Sequence, residues 1–206
     1  MKFADRQAAA WHQIREQFEG HVETVNGPGS NYLATHEIRA ALPYIIDKYD
    51  IGSILDAPCG EWNWMQHVDL GGAKYTGWDV DPVSIKRNRE RWPEHTWECV
   101  NLLNTTWSLP RVDLILCRDF FLHLPNRYIK VVLRKFYNSN SKYLLTTNWP
   151  GADNRRVCDL EGGEDDRPGY YCQPVDLEAE PFSMYERIES FVEDTKAGQE
   201  MVLFRL

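Results

Sequence analysis

The 206-residue chain has no CxxC pair, no internal repeat and no apolar run of transmembrane length, and it is short of basic residues: Lys and Arg total 23 against 31 Asp and Glu. The net charge of −8 argues against nucleic acid as a partner, because such binders carry a basic face, and it fits a small neutral or cationic substrate better than a polyanion. The five cysteines, Cys59, Cys99, Cys117, Cys158 and Cys172, form no paired spacing, and Cys99 and Cys117 sit in apolar runs. They read as reduced thiols, and with no signal-peptide pattern at Met1-Lys2-Phe3-Ala4-Asp5 the expected location is the cytosol, away from membranes. What remains, 43% hydrophobic and 26% charged residues, suits one globular domain with a real core.

Two helices lead the chain. Residues 4–18 place Trp11, Ile14 and Phe18 at helical spacing, with Gly20 as a stop. After a breaker-rich loop at 26–31, residues 35–49 set Ile38, Ala41, Leu42, Ile45 and Ile46 on one face, with Pro43 expected to kink the helix or restart it. From residue 50 strands and helices alternate. Strands are expected at 53–56, 74–79, 97–100, 112–117 and 143–147. Helices are expected at 61–68, at 82–91 with Asp81 as N-cap and Pro82 in first position, and after Asn126 as a cap. Two further strand-like runs, 187–192 and 201–206, have no room for a helix between them and should pair antiparallel. The fold class is therefore α/β: a Rossmann-like, seven-stranded, mostly parallel sheet with an antiparallel C-terminal strand, helices on both faces and an N-terminal helical extension. Residues 1–206 are taken as one domain, with 1–49 supplying helices and a covering loop and 50–206 the core.

In such a sheet a ligand binds beyond the carboxyl ends of the strands. The first strand runs into Asp56-Ala57-Pro58-Cys59-Gly60-Glu61-Trp62-Asn63-Trp64, where Gly60 is the natural pivot. The dinucleotide pattern GxGxxG is absent, since Pro58 and Asn63 stand at glycine positions. A carboxylate at Asp56 would repel a pyrophosphate, but it suits a ligand carrying positive charge, such as the amino and sulfonium groups of S-adenosylmethionine (SAM). The alternative is that Asp56 only caps the turn. Asp79 ends the second strand about 20 residues further on, the usual spacing of a ribose-hydroxyl ligand. Its alternative is a solvated turn acid.

These stretches resemble class I SAM-dependent methyltransferases. The resemblance is carried by ILDAPCGEWNWM (54–65), YTGWDVDPVSI (75–85), VDLILCRDFFLHLP (112–125) and YLLTTNWP (143–150). It is more specific to bacterial-type members of undefined substrate, which share a Gly-Ser loop and an IRxxLP helix, here GPGSNYLATHEIRAALP (27–43). The resemblance implies SAM as cofactor. Asp56 and Gly60 would hold its aminocarboxypropyl end, with Ala57 and Pro58 in the same loop. Asp79 would hold the ribose, Val80 would pack on the adenine, and Asn101, with Leu102 beside it, would meet the adenine amino group. Pro58 and Trp62 stand where many members have glycine. Trp62 and Trp64 either wall the cofactor or pack the following helix.

The reaction so implied is in-line displacement at the SAM methyl carbon, with acceptor positioning as the enzyme's main work. Arg118 and Asp119, after the fourth strand, would face the transferred methyl, and Arg118 also counts among the cofactor contacts. His123 is read as a general base or as a packed histidine. Asp119 is read as base or acceptor-orienting acid, and Arg118 as an anchor for an acidic acceptor group or as a partner of Asp119. Asn148 and Trp149 should line the acceptor side. The acidic run Asp159, Glu161, Glu164, Asp165 and Asp166 fits no EF-hand loop, so no metal is expected; with Tyr170 and Tyr171 it is read as a solvated loop able to close over the acceptor. The expected function is methyl transfer to a small-molecule or glycan acceptor. A SAM lyase and a non-catalytic SAM-binding partner subunit are the alternatives; neither the acceptor atom nor the oligomeric state is legible.

Overall fold

Asp81 shows how local chemistry starts an element. Its carboxylate accepts the backbone N–H groups of Val83 and Ser84 at 3.2 and 3.0 Å, and Pro82 follows in the first helical turn. The computed structural model describes residues 3–20, 23–104, 108–155, 172–194 and 197–206. In chain order its elements are α1 (Phe3–Phe18), α2 (His36–Lys48), β1 (Ser53–Asp56), β2 (Lys74–Asp79), α3 (Pro82–Arg91), β3 (Thr96–Cys99), β4 (Leu114–Cys117), α4 (Asn126–Asn138), β5 (Tyr143–Asn148), β6 (Arg187–Asp194) and β7 (Gln199–Arg205).

The strands form a seven-stranded sheet in the order β3-β2-β1-β4-β5-β7-β6. The five from β3 to β5 run parallel, and β7 is antiparallel to both β5 and β6. This is the Rossmann-like sheet expected from the strand-helix alternation. Successive residues point to opposite faces. Leu55, Ile115, Cys117, Leu144 and Phe204 share one core with Ile129, Val132, Leu133 and Phe136 of α4. Ile54, Leu114, Leu116, Leu145 and Leu203 share the other with Ile38, Leu42, Ile45 and Ile46 of α2 and Ile85 of α3. Both faces are thus covered by helices, which is why β4 is buried at every position.

Several local expectations are corrected. Residues 61–68 do not form an α-helix: Trp62 sits at φ 59°, a left-handed conformation that breaks a right-handed helix, and only a 3₁₀ turn at Met65–His67 follows. Helix α2 runs through Pro43 without restarting. The cap of α4 is Pro125, whose carbonyl accepts the N–H groups of Tyr128 and Ile129, while Asn126 reaches away to the Asn154 carbonyl. Strand β4 begins at Leu114 because the N–H groups of Val112 and Asp113 go to the hydroxyls of Ser141 and Ser53. The side chains of Ile14 and Phe18 and the run 159–166 with Tyr170 and Tyr171 lie outside the described residues.

Strand order reverses between β1 and β4. That switch point, beyond their carboxyl ends, is where an open α/β sheet leaves a crevice.

Candidate active site

The crevice is a cavity of about 500 Å³. Its floor is the strand ends: Asp56 closes β1, Asp79 closes β2, and Arg118 and Asp119 follow β4. The loop at 25–30 and residues Ala8, Trp11 and Arg15 of α1 form its other wall.

Gly60 makes the turn between the two acids. Its φ of 55° is left-handed, and a Cβ there would lie 2.6 Å from the Asn26 side chain. Its N–H donates to Asp79 Oδ2 at 2.8 Å, and its carbonyl accepts from Asn88 at 2.9 Å. The other Asp79 oxygen accepts the Asp81 N–H at 2.8 Å. Asp79 therefore fixes the turn while lining the cavity, where its carboxylate can still accept from a ligand hydroxyl.

Both acids are buried, and burial dominates their ionisation. Desolvation pushes the Asp56 pKa to about 8; the Tyr75 hydroxyl, donating at 2.6 Å, and Arg118 oppose the rise, while the Asp79 charge adds to it. Desolvation likewise lifts Asp79 to about 6 against its backbone hydrogen bonds. Two carboxylates this dry are poised to gain from a cation or from hydroxyl donors.

Beside Asp56, at the end of the neighbouring strand β4, lies an ion network. Arg118 donates from Nε to Glu193 at 2.7 Å and lies 2.9 Å from Asp119 through NH1. Burial opposes the Arg118 charge, yet the two carboxylates raise its pKa above the usual arginine value. Gln199 donates to Asp119 and Glu193, at 2.9 Å each. Burial lifts the Glu193 pKa, opposed by Arg118. The sequence reading missed Glu193 and Gln199, which come from the C-terminal hairpin; Glu193 is the extra residue of a bulge between Val192 and Asp194.

The expected site residues assemble with few exceptions. Pro58, Gly60, Trp62, Trp64, Val80, Asn101 and Leu102 line the same cavity as Asp56 and Asp79. Ala57 does not: it is fully buried, with its N–H on the Leu116 carbonyl. Trp62 also packs against Tyr75, Trp92 and Trp97, so it serves wall and core together. Trp64 has the Arg118 guanidinium 5.9 Å from its ring. Asn101 turns its side-chain oxygen to the Leu103 N–H. His123 lies on the 3₁₀ turn Phe121–His123, lines the cavity, and meets Trp11 edge-on at 4.9 Å. Trp149 lines the cavity as expected. Asn148 is absent from its lining and pins residues 177 and 178 through its side-chain amide.

No protein-family model matches the chain, and no curated protein matches it in sequence. Solved structures do match. The N-methyltransferase NodS from Bradyrhizobium japonicum WM9, in complex with S-adenosyl-L-homocysteine (SAH), is 12% identical with a TM-score of 0.65, covering 98% of each chain. The magnesium protoporphyrin IX methyltransferase ChlM from Synechocystis PCC 6803 with bound SAH is 13% identical at a TM-score of 0.63, over 96% of this chain and 92% of that one. A possible exported protein from Bordetella parapertussis is 15% identical at 0.59, over 97% and 79%. At these identities the likeness is one of fold, and the fold is that of class I SAM-dependent methyltransferases.

Proposed function

We propose that this chain is a SAM-dependent methyltransferase acting on a small-molecule or glycan acceptor, within a single domain whose residues 1–49 help cover the cofactor. The observation that carries the reading is the placement of Asp56 and Asp79 in one cavity, both buried, on either side of the Gly60 turn. SAM supplies a methyl group on a positively charged sulfonium and carries an ammonium besides, the kind of charge that dry carboxylates reward.

The residues present suit that group. Asp56 receives the Tyr75 hydroxyl on Oδ2, so its other oxygen can take the ammonium. Asp79 offers its remaining lone pairs to the ribose hydroxyls. Val80, Asn101 and Leu102 form the adenine end, while Pro58, Gly60, Trp62 and Trp64 border the aminocarboxypropyl end. A volume of about 500 Å³ falls within the range of small-molecule sites.

Asp119 and His123 face the acceptor end and are the groups that would orient it or hold its proton. Arg118 has Asp119 and Glu193 as partners, so we assign it the holding of Asp119 in place rather than the capture of an acidic acceptor. No helix among the described residues is long and apolar enough to cross a membrane, and a cytosolic location is part of the proposal.

Calorimetric titration with SAM and SAH tests the reading, followed by transfer of a labelled methyl to fractionated small-molecule extracts. Saturable binding of both ligands and label in an acceptor are expected. Binding without transfer favours a partner subunit, and cleavage of SAM without an acceptor favours a lyase.

A further inference from the structure

The ion network beside the cavity holds more carboxylate than its one arginine answers. Asp56, Asp79, Asp81 and Asp119 line the cavity, and among the described residues its lining has two side-chain cations, Arg15 and Arg118. Neither cation is available to a ligand as a net charge. Arg15 lies 3.2 Å from Asp81 and 3.0 Å from Glu19. Arg118 is held between Asp119 and Glu193 at 2.9 and 2.7 Å. Around Arg118 two carboxylates, Asp119 and Glu193, face one guanidinium, so the ion network at the acceptor end holds one carboxylate in excess.

The walls there are largely ring and hydrocarbon. Trp11, Phe120, Leu122 and Trp149 line the cavity beside His123 and Asp119. Asp119 is the most accessible acid of the ion network, with its side chain 26% exposed against 2% for Glu193. An indole or phenyl wall beside a partly exposed carboxylate recognises a cation on a flat or apolar body, by charge and by cation–π attraction.

We propose that the methyl acceptor is a small molecule bearing a protonated amine on a flat or apolar body, held with its positive charge at Asp119. This rests on the methyltransferase reading and narrows its acceptor. Acceptors whose recognised group is a carboxylate or phosphate are excluded, because Asp119 and Glu193 already answer the Arg118 charge.

Two probes with one ring system separate the possibilities: tryptamine, a cation, and indole-3-propionate, an anion. Each is titrated into the full chain saturated with SAH, whose own binding is measured first. Tryptamine should bind at least tenfold more tightly than indole-3-propionate. In Asp119→Asn the preference should collapse: tryptamine weakens at least tenfold, and indole-3-propionate strengthens as Arg118 loses one counter-charge. Asp119 sits at φ 51°, a conformation asparagine tolerates, and an amide oxygen can still accept from Gln199, so the variant should fold. Equal or reversed affinities, no binding of tryptamine to the SAH-loaded protein, or an unchanged ratio in the variant overturns the proposal. Failure of SAH itself to bind is a separate result, and it removes the cofactor reading beneath.

Discussion

The Tyr75 hydroxyl donates to the Asp56 carboxylate at 2.6 Å, between two residues of neighbouring strands that are both buried. That bond is the main compensation for a carboxylate taken out of water, and it is incomplete, since the Asp56 pKa still stands at about 8. Tyr75, Asp79, Cys59, Cys117 and Arg118 are the described titratable groups that interact with it, and of these Arg118 brings positive charge. The site is therefore built for a charge that arrives with the ligand.

A pH dependence follows. Because the folded pKa of Asp56 is raised, its protonated form contributes stability that is fully present below about pH 4, the unfolded value, and is lost as pH rises through about 8. Asp56→Asn mimics the protonated form. Its melting temperature should exceed that of the parent by several degrees at pH 8.5, by a smaller margin at pH 5, and match it at or below about pH 4. The same substitution should weaken SAM binding at least tenfold at pH 8. For the parent, SAM affinity should rise from pH 6 to 8 with proton release, read from binding enthalpies in buffers of different ionisation heat.

Gly60 has two independent reasons to be glycine. Alanine there meets a left-handed backbone, a cost of about 1–2 kcal/mol, and its Cβ collides with an Asn26 side chain that itself accepts the Glu61 N–H at 3.0 Å. Gly60→Ala should lower the urea midpoint and lose measurable SAH binding, whereas Gly72→Ala, at φ 83° with open space around its Cβ position, should lower the midpoint and leave SAH affinity within twofold.

The Arg118–Glu193 pair joins the cavity to the C-terminal hairpin. Removing one partner leaves a buried charge short of compensation, so Glu193→Ala should cost about 3–5 kcal/mol in chemical denaturation. Glu193→Gln retains an acceptor for Arg118 and should cost less. If the alanine variant is as stable as the parent, the hairpin does not hold the network together.

Asp79 fixes the Gly60 turn, and under the proposed function it also holds the ribose, so its removal should show both. Asp79→Ala takes the acceptor from the Gly60 and Asp81 N–H groups, a loss of roughly 1–3 kcal/mol in stability, and should weaken SAM at least tenfold in a chain that still folds. Unchanged affinity would mean the ribose end is misassigned.

The parts of this site that were legible in the sequence are those set by local chemistry. Apolar runs mark β4 and β5 because both faces of a parallel sheet are covered, and Asp81-Pro82 marks the start of α3 because cap and first turn are adjacent in the chain. Asp56 and Asp79 followed from strand ends. Glu193 and Gln199 did not, because the contacts that bring them to Arg118 and Asp119 span most of the C-terminal half and depend on a bulge. The misread helix after Gly60 has a similar origin: helical periodicity does not reveal that Trp62 lies at positive φ, drawn into the rings of Tyr75, Trp92 and Trp97. Asn126 looked like a cap by residue type, but its partner is Asn154, beyond β5.

The most direct measurement is a crystal structure of the chain grown with SAH. The account predicts the ribose hydroxyls on Asp79, the amino group on Asp56 and the sulfur directed toward Asp119 and His123. A nucleoside seated elsewhere, or a crevice that stays empty at saturating SAH, would contradict it.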